Sequence, residues 1–549
     1  MGEGCRGRAK NGTGDARIYR FPLDFSVRFV YDKRVGIRES KTRKVTMKKT
    51  LSILLCLALL LPLMLAGCSE NKTNTDTGTN TPDAGTNTPV AAPDGGEEET
   101  EPSRYAANIP AGTDYGGATF TVLTYPNDGG IWGDVDWSAE EITGEVLNDA
   151  VYTRMQQVDE LLNVSVTPAY MTGSGDTGTL TNSVNSGDGA YQIATLAMQN
   201  SFSVAQNGTI QELNNYASKG TLDLGAAWWD PNILGDLQIK GMNFCLTGDI
   251  GTMYKKSIGV IMFNKVILAN NQLENPYEIM NAGKWTIDKM VEMGTQVSDD
   301  LNGDGKMTQD DRFGLICFCD MIALAMIGCD VDFFTTNADG VPENTFMSER
   351  AVSVIEKLST LMYNPDITYS WSRAGVGEQP AFAMYQSDKS LFYYGELHAV
   401  ATMRDMESDF GILPMPKFDE EQEGYHHCVN PNVCATIVIP ADNVDYEKTG
   451  YVMDALGACS KNELTPAYYD VTLLGKVSRD EESTVSLDII ISSIKYDIGY
   501  LGGFGISSML YSMADSYNTD LASQYAKVTK IVNKSLDKMM NKFDGLGGN

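Results

Sequence analysis

The chain is poor in histidine, with three in 549 residues. That scarcity leaves little material for histidine-built metal centres or for the general base of a hydrolase triad. It has no Gly-x-Ser-x-Gly elbow, no phosphate-cradling Gly-Lys-Ser/Thr and no His-Glu-x-x-His. Basic residues are also short, 42 Lys and Arg against 72 Asp and Glu, a net charge of −30. Residues 1–67 carry 14 basic and 5 acidic residues, so the remainder, with 28 and 67, stands at −39. Such a body repels nucleic acid and anionic lipid surfaces, and points to a neutral or cationic ligand. Ten cysteines are too thin over this length for a disulfide scaffold. Beyond Cys5, Cys56 and Cys68, seven remain, an odd number that cannot all pair. Cys317 and Cys319 alternate in the strand-like run LICFC and read as core. His426-His427-Cys428 with Cys434 matches no zinc spacing, and whether Cys428 bonds Cys434 stays open.

What is present begins with MKKTLSILLCLALLLPLMLAGC at Met47–Cys68. Lys48 and Lys49 precede an apolar run, Leu51 to Leu65, that ends in Ala66-Gly67-Cys68. Small residues before a cysteine suit a lipoprotein signal peptidase, which needs a slim backbone to cleave and a thiol to acylate. The run is short and stops at a processing site, so it reads as a signal peptide rather than a spanning helix. The expectation is a lipid on Cys68 and a cell-membrane protein held on the extracellular face. Residues 1–46 read as an upstream extension with Met47 the true start; the alternative is a cytoplasmic tail. Residues 68–114 are the lipidated cysteine and a tether of Thr, Asn, Gly, Pro and acids, too polar to offset its ordering entropy.

The remainder, roughly 430 residues, exceeds what one core organises, so two lobes are expected. Ala118–Thr124 alternates as a strand; a helix capped by Thr143 follows, with Val146, Leu147, Ala150, Val151, Val158, Leu161 and Leu162 on one face. Val164–Thr167 and Tyr191–Met198 read as strands and Phe202–Gln211 as a helix. Strand–helix alternation argues for α/β with largely parallel sheets.

Several stretches then carry a resemblance by their order along the chain: LDLGAAWWD at Leu222–Asp230, LTGDIG at Leu246–Gly251, IMFNK at Ile261–Lys265, GKWT at Gly283–Thr286, FYYGE at Phe392–Glu396, DFGILPMP at Asp409–Pro416 and DEES at Asp480–Ser483. With the lipobox, they resemble the extracellular solute-binding proteins of bacterial ABC importers, in the carbohydrate-leaning group related to maltodextrin-binding proteins. The resemblance covers most of Tyr115 to Leu510. It implies a two-lobed periplasmic-binding-protein-like type II fold: residues 115–252 as the first part of lobe 1, 253–427 as lobe 2, 428–470 as the return to lobe 1, and 471–549 as a C-terminal helical part on lobe 2. By the same analogy the crossings lie near Met253–Asn264 and Phe410–Phe418, and the lobes close on ligand by a hinge. The implied partners are a small solute and an ABC permease, with no nucleic acid, and the chain is expected to be a monomer and not an enzyme.

Sugar faces pack on aromatic rings while hydroxyls need planar polar partners. The candidates are therefore Trp228, Trp229 and Asp230, although Asp230 also suits the cap of a helix starting at Pro231. Tyr394 and Glu396 stand where the resemblance puts a lobe-2 binding loop. Asp249 sits between glycines, and Gln199, in Met198–Asn200, follows a strand as the family's first ligand loop does. Gln192 stands where the family more often has Asp. Trp132 and Trp137 flank an acidic Gly-rich loop and either cover the cleft or pack a lid, the second being the expectation.

Asp300, Asn302 and Asp304 offer oxygens at positions 1, 3 and 5 of a calcium-loop pattern, with Gly305 for the turn, the Lys306 carbonyl, Thr308 and Asp311 completing it. Aspartate at position 12 shortens the usual bidentate arm. A helix over Trp285–Val297, capped by Thr286, precedes the loop and a strand over Arg312–Phe318 follows, so the expectation is a structural calcium pin. Two other classes stay open: an exported lipoprotein glycoside hydrolase built on carboxylate pairs, and a calcium-stabilised surface protein that binds a polymer.

Overall fold

A computed structural model describes residues 104–127, 132–403, 405–469 and 481–546. The signal peptide, the lipobox with Cys68 and the tether up to residue 103 lie outside the described residues. The described residues form one compact unit. Its strands are β1 (Ala118–Thr124), β2 (Val164–Tyr170), β3 (Ile193–Ala197), β4 (Gly259–Asn264), β5 (Phe313–Cys317), β6 (Phe334–Thr336), β7 (Pro342–Asn344), β8 (Thr368–Ser370), β9 (Ser390–Glu396), β10 (Phe410–Leu413) and β11 (Ala435–Val438).

They form two separate α/β layers. The first sheet runs β11-β3-β1-β2 and the second β10-β4-β9-β5-β8, with β6 and β7 a small ribbon apart. Val164 pairs Ala118 in parallel register, and β3 is likewise parallel to β1. In the second sheet β5 is parallel to β8 and β9. Helices cover these sheets, so their central strands are apolar on both faces: every residue of β3, β4, β5 and β9 is buried. The helix Met321–Gly328 is apolar all round and wholly buried for the same reason.

The expectation of largely parallel sheets holds for β1, β2 and β3 and for β5, β8 and β9. β4 runs antiparallel to β9 and β10, and β11 antiparallel to β3. These are the strands next to the crossings, where the chain enters one sheet and returns to the other in the opposite sense. The crossings themselves pair: Ile258 bridges Val429, and the Asn430 amide donates to the Ser257 carbonyl at 2.8 Å. The second crossing is thus Cys428–Cys434 rather than Phe410–Phe418. β10 stays in the second sheet beside β4, and Lys417 remains there too, its amide on the Trp285 carbonyl at 3.1 Å.

The helix Val146–Leu162 starts two residues later than a cap at Thr143 would place it. Its cap is Glu145, whose carboxylate accepts the Asn148 amide at 2.7 Å, because the Thr143 hydroxyl is taken by the Glu145 amide at 3.3 Å and the Asn148 side chain at 3.0 Å. Val146 and Leu161 are exposed, and Arg154 takes the buried face instead. Its guanidinium donates to the Ile250 carbonyl at 2.9 Å, to Ser460 at 3.1 Å and to the Asp136 carbonyl, tying this helix to Tyr446–Asn462. The helix after β3 begins at Met198, not Phe202, so Gln199 lies in its first turn. The C-terminal helix Leu521–Leu546 packs on Ile506–Asp515 and Glu349–Met362, beside the second sheet. Its last turns also reach Phe244, 5.1 Å from Phe543 between ring centres, and pair Asp544 with Lys240.

All seven cysteines among the described residues are free thiols, six of them buried, Cys428 and Cys434 included. No helix of the described residues is long and apolar enough to cross a membrane.

Candidate functional site

The parallel strands of the second sheet all end at one place. In open α/β sheets the carboxyl ends of such strands form the crevice that takes ligand. Phe318 and Asp320 follow β5, Trp371 follows β8, and Tyr393–Glu396 are the end of β9. Together with Glu378, Asn430, Val433 and Trp132 they line a cavity of about 160 Å³. Trp132 comes from the loop after β1 of the first sheet, and Asn430 and Val433 from the second crossing. The cavity therefore lies between the two layers and takes walls from both.

Two kinds of surface face it. Trp371 stacks on Phe318, ring centres 4.0 Å apart and planes 27° apart. Trp132 lies against His398 at 4.2 Å. The polar side is carboxylic. One side-chain amide, Asn430 Nδ2, donates to Glu396 Oε1 at 2.8 Å and to Asp320 Oδ2 at 3.2 Å. His398 Nε2 lies 3.1 Å from Glu378 and its Nδ1 3.8 Å from Glu396. Burial, then the Glu396 charge, push Asp320 well above the usual carboxylate range. Burial raises Glu396 as well. Glu378, Glu396 and His398 offer ligand atoms within 4.8 Å of one another, close enough to surround a cation. Asn432 extends the network to the first layer, accepting from Gln199 Nε2 at 2.7 Å and donating to Asn430 Oδ1 at 3.1 Å.

No protein-family model and no curated protein matches the chain. Solved structures do. An ABC transporter solute-binding protein from Thermotoga lettingae, bound with α-D-tagatose, is 13% identical over 77% of this chain and 100% of its own, with a TM-score of 0.50. The cyclic α-maltosyl-1,6-maltose binding protein from Arthrobacter globiformis is 13% identical over 78% of this chain and 98% of its own, again at 0.50. The fold is the two-lobed α/β fold of solute-binding proteins. In its terms the layer of β1, β2, β3 and β11 is one lobe, the layer of β4, β5, β8, β9 and β10 the other, and the cavity is the cleft.

Of the residues singled out in the sequence, Tyr394 and Glu396 stand on the cleft wall. Gln199 borders it through Asn432. The others lie in the packing of the first lobe. Trp228 is buried, donates to Asp454 at 3.3 Å and fills the space beside Gly457, where an added Cβ would sit 2.2 Å from its ring. Trp229 is buried and bridges Gly248. Asp230 caps the helix Pro231–Asp236, accepting from the Asn232 amide at 2.9 Å and from the Tyr496 hydroxyl at 2.6 Å; burial raises its pKa. Asp249 is held by Lys255 and Lys461, each at 2.9 Å, and by Thr465 at 2.8 Å. Burial opposes ionisation of Asp249, but the two ammonium groups outweigh it and lower the pKa.

Trp132, expected to pack a lid, is on the cleft wall, whereas Trp137 is buried and donates to Asp134 at 2.9 Å. Phe318, Asp320, Trp371, Glu378 and Asn430 carried no signal that singled them out. The one available was position: Phe318, Asp320 and Trp371 follow strand ends, Asn430 lies in a crossing, and Glu378 opens the helix Glu378–Gln386.

The acidic loop is a tight turn between the helix Ile287–Val297, capped by Thr286, and β5. Gly303 and Gly305 have φ of +72° and +78°, which a side chain would strain. Asp300 accepts from the Gly303 amide at 2.8 Å and the Gly305 amide at 2.7 Å; Asn302 accepts from Asp304 at 2.9 Å, and Asp304 from Lys306 at 2.9 Å. Asp311 accepts from the Thr308 amide at 2.7 Å and the Leu301 amide at 3.1 Å.

Proposed function

We propose that this chain is the capture component of an ABC importer, taking a small solute of sugar or polyol type into the cleft and releasing it to a permease. The observation that carries the reading is the cleft, with an aromatic wall from each lobe and hydrogen-bonding carboxyl and amide groups between them. Ring faces take the C–H surfaces of a sugar, and Glu396, Asp320 and Asn430 take its hydroxyls. Of the proteins with the same fold, the one from Thermotoga is bound with α-D-tagatose and the one from Arthrobacter is a cyclic α-maltosyl-1,6-maltose binding protein. At about 160 Å³ the cleft lies below the roughly 300 Å³ at which pockets for drug-sized ligands begin, which favours a single ring over a long oligosaccharide. The paired crossings at Ile258 and Val429 are the natural hinge, and ligand touching both lobes favours the closed state. An N-terminal lipid on Cys68 keeps the protein at the outer face of the membrane, and the 300–311 loop binds calcium as a structural pin through Asp300, Asn302, Asp304, the Lys306 carbonyl and Asp311.

A thermal-shift screen of the purified protein against monosaccharides, polyols and oligosaccharides, with amino acids and peptides as controls, tests the reading. A shift with one sugar class, the ligand recovered intact, supports capture. The second reading, a glycoside hydrolase, rests on Asp320 and Glu396 sharing one amide donor inside the cleft. It predicts that the same ligand is consumed. A shift with amino acids alone overturns both.

A further inference from the structure

We propose that the solute taken by this cleft carries a protonated amine, as an amino sugar with a free amino group does. The inference rests on the capture reading and narrows it. Three carboxyl groups, Asp320, Glu378 and Glu396, face the cavity, and no lysine or arginine lines it among the described residues. Among the described residues the basic group beside them is His398, already set between Glu378 and Glu396. Arg373, two residues from Trp371, is turned away: it donates to the Ala514 carbonyl at 2.8 Å and covers the Tyr517 ring.

Asp320 is the focus. It is 6% exposed and lines the cavity; its Oδ2 accepts from Asn430, and the other groups that reach it, the Tyr394 hydroxyl and the Met321 amide, bring no charge. The titratable groups that face it are Glu396 and Glu378, the hydroxyls of Tyr393, Tyr394, Tyr500 and Tyr511, and the thiols of Cys317 and Cys319. None is a cation. A buried carboxylate beside a second carboxylate is costly unless a positive charge arrives or one of the two holds a proton. A neutral hexose brings hydroxyls but no charge. An ammonium brings the missing positive charge, and the ring faces of Trp132 and Trp371 favour it by cation–π attraction. As the ammonium arrives, the proton that burial keeps on Asp320 leaves to buffer, and the N–H donates to the carboxylate in its place.

The test is calorimetric titration of the purified protein with D-glucosamine, D-galactosamine and D-mannosamine, each against its N-acetyl derivative and parent hexose. Runs in two buffers of different ionisation enthalpy count the protons released. The expected result is that one amino sugar binds at least tenfold tighter than both neutral counterparts and releases protons that they do not. Asp320→Asn is expected to erase most of that preference. Glu378→Gln, at a more exposed position, is expected to reduce it in a protein whose fold is less at risk. Equal binding of hexose and amine, without proton release, overturns the inference and leaves sugar capture standing. Hexose binding that appears only with added divalent metal also overturns it, because the ion then supplies the positive charge. Binding by no sugar of either kind removes the capture reading and the inference with it.

Discussion

Asn430 donates its side-chain amide to Glu396 at 2.8 Å, joining the second crossing to the end of β9. The contact makes the hinge part of the binding surface, since the residue that orients a cleft carboxyl group also rides on the segment that bends. Asn430→Ala is expected to weaken binding of the solute selected by the stability screen about tenfold, a loss of about 1.4 kcal/mol. Isothermal titration measures it. Unchanged affinity would place Asn430 outside recognition.

The tryptophans divide by role. Trp228→Ala opens a cavity against Gly457 and is expected to destabilise by about 3–5 kcal/mol while leaving the affinity of the folded fraction near wild type. Trp371→Ala is expected to do the reverse, lowering affinity about tenfold with a small change in melting temperature. Denaturant curves and calorimetry on the two variants decide it. A lost affinity in the Trp228 variant would move that residue into the site.

Burial holds Asp454 at a pKa of about 7 against 3.8 for an ordinary aspartate. The native state therefore keeps a proton that the unfolded chain has released between those values. The group's contribution to stability is full below the lower value and is lost as pH rises through the upper one. Asp134, at about 6, and Asp497, at about 7, act in the same sense, whereas buried His427, lowered to about 3, acts in the opposite one. The melting temperature of wild type minus that of Asp454→Asn isolates one group. It is expected to fall from about pH 4 to about pH 7 and then level off. A flat difference would mean that Asp454 is ionised throughout.

Chelation of calcium is expected to lower the melting temperature, and Asp304→Ala to abolish that sensitivity. A protein indifferent to both changes would reduce the 300–311 loop to a bare turn.

Cys68→Ser is expected to block acylation and shift the protein from the membrane to the soluble fraction, read by fractionation and immunoblot. Retention on the membrane would favour an anchor helix at Leu51–Leu65.

Local pattern carried the fold well where one segment decides its own state. β1 is the alternating run Ala118–Thr124, and Thr286 caps the helix Ile287–Val297 as its spacing requires. The order of soft motifs carried the two-lobed architecture. The cleft was less legible because its residues come from six separate segments, between Trp132 and Val433, and meet only once both sheets are formed. Trp228-Trp229-Asp230 drew attention by being adjacent, yet adjacency says nothing of which face is buried. A close approach at Gly457 and the cap on Pro231–Asp236 claim those side chains. The crossing at Cys428–Cys434 was misplaced because FGILPMP resembles an exit from a sheet, whereas its pairing with β4 is long-range and has no local signature.

The seven free thiols have a consequence for how the molecule ages. Burial pushes Cys245, Cys329 and Cys434 up to about 12, so almost none of their sulfur is thiolate at neutral pH. Oxidants and disulfides attack through the thiolate, and these sites offer neither the charge nor an approach. These three sites are thereby slow to respond to the redox poise of the surroundings, and no cysteine among the described residues is tied into a disulfide whose reduction would loosen the packing.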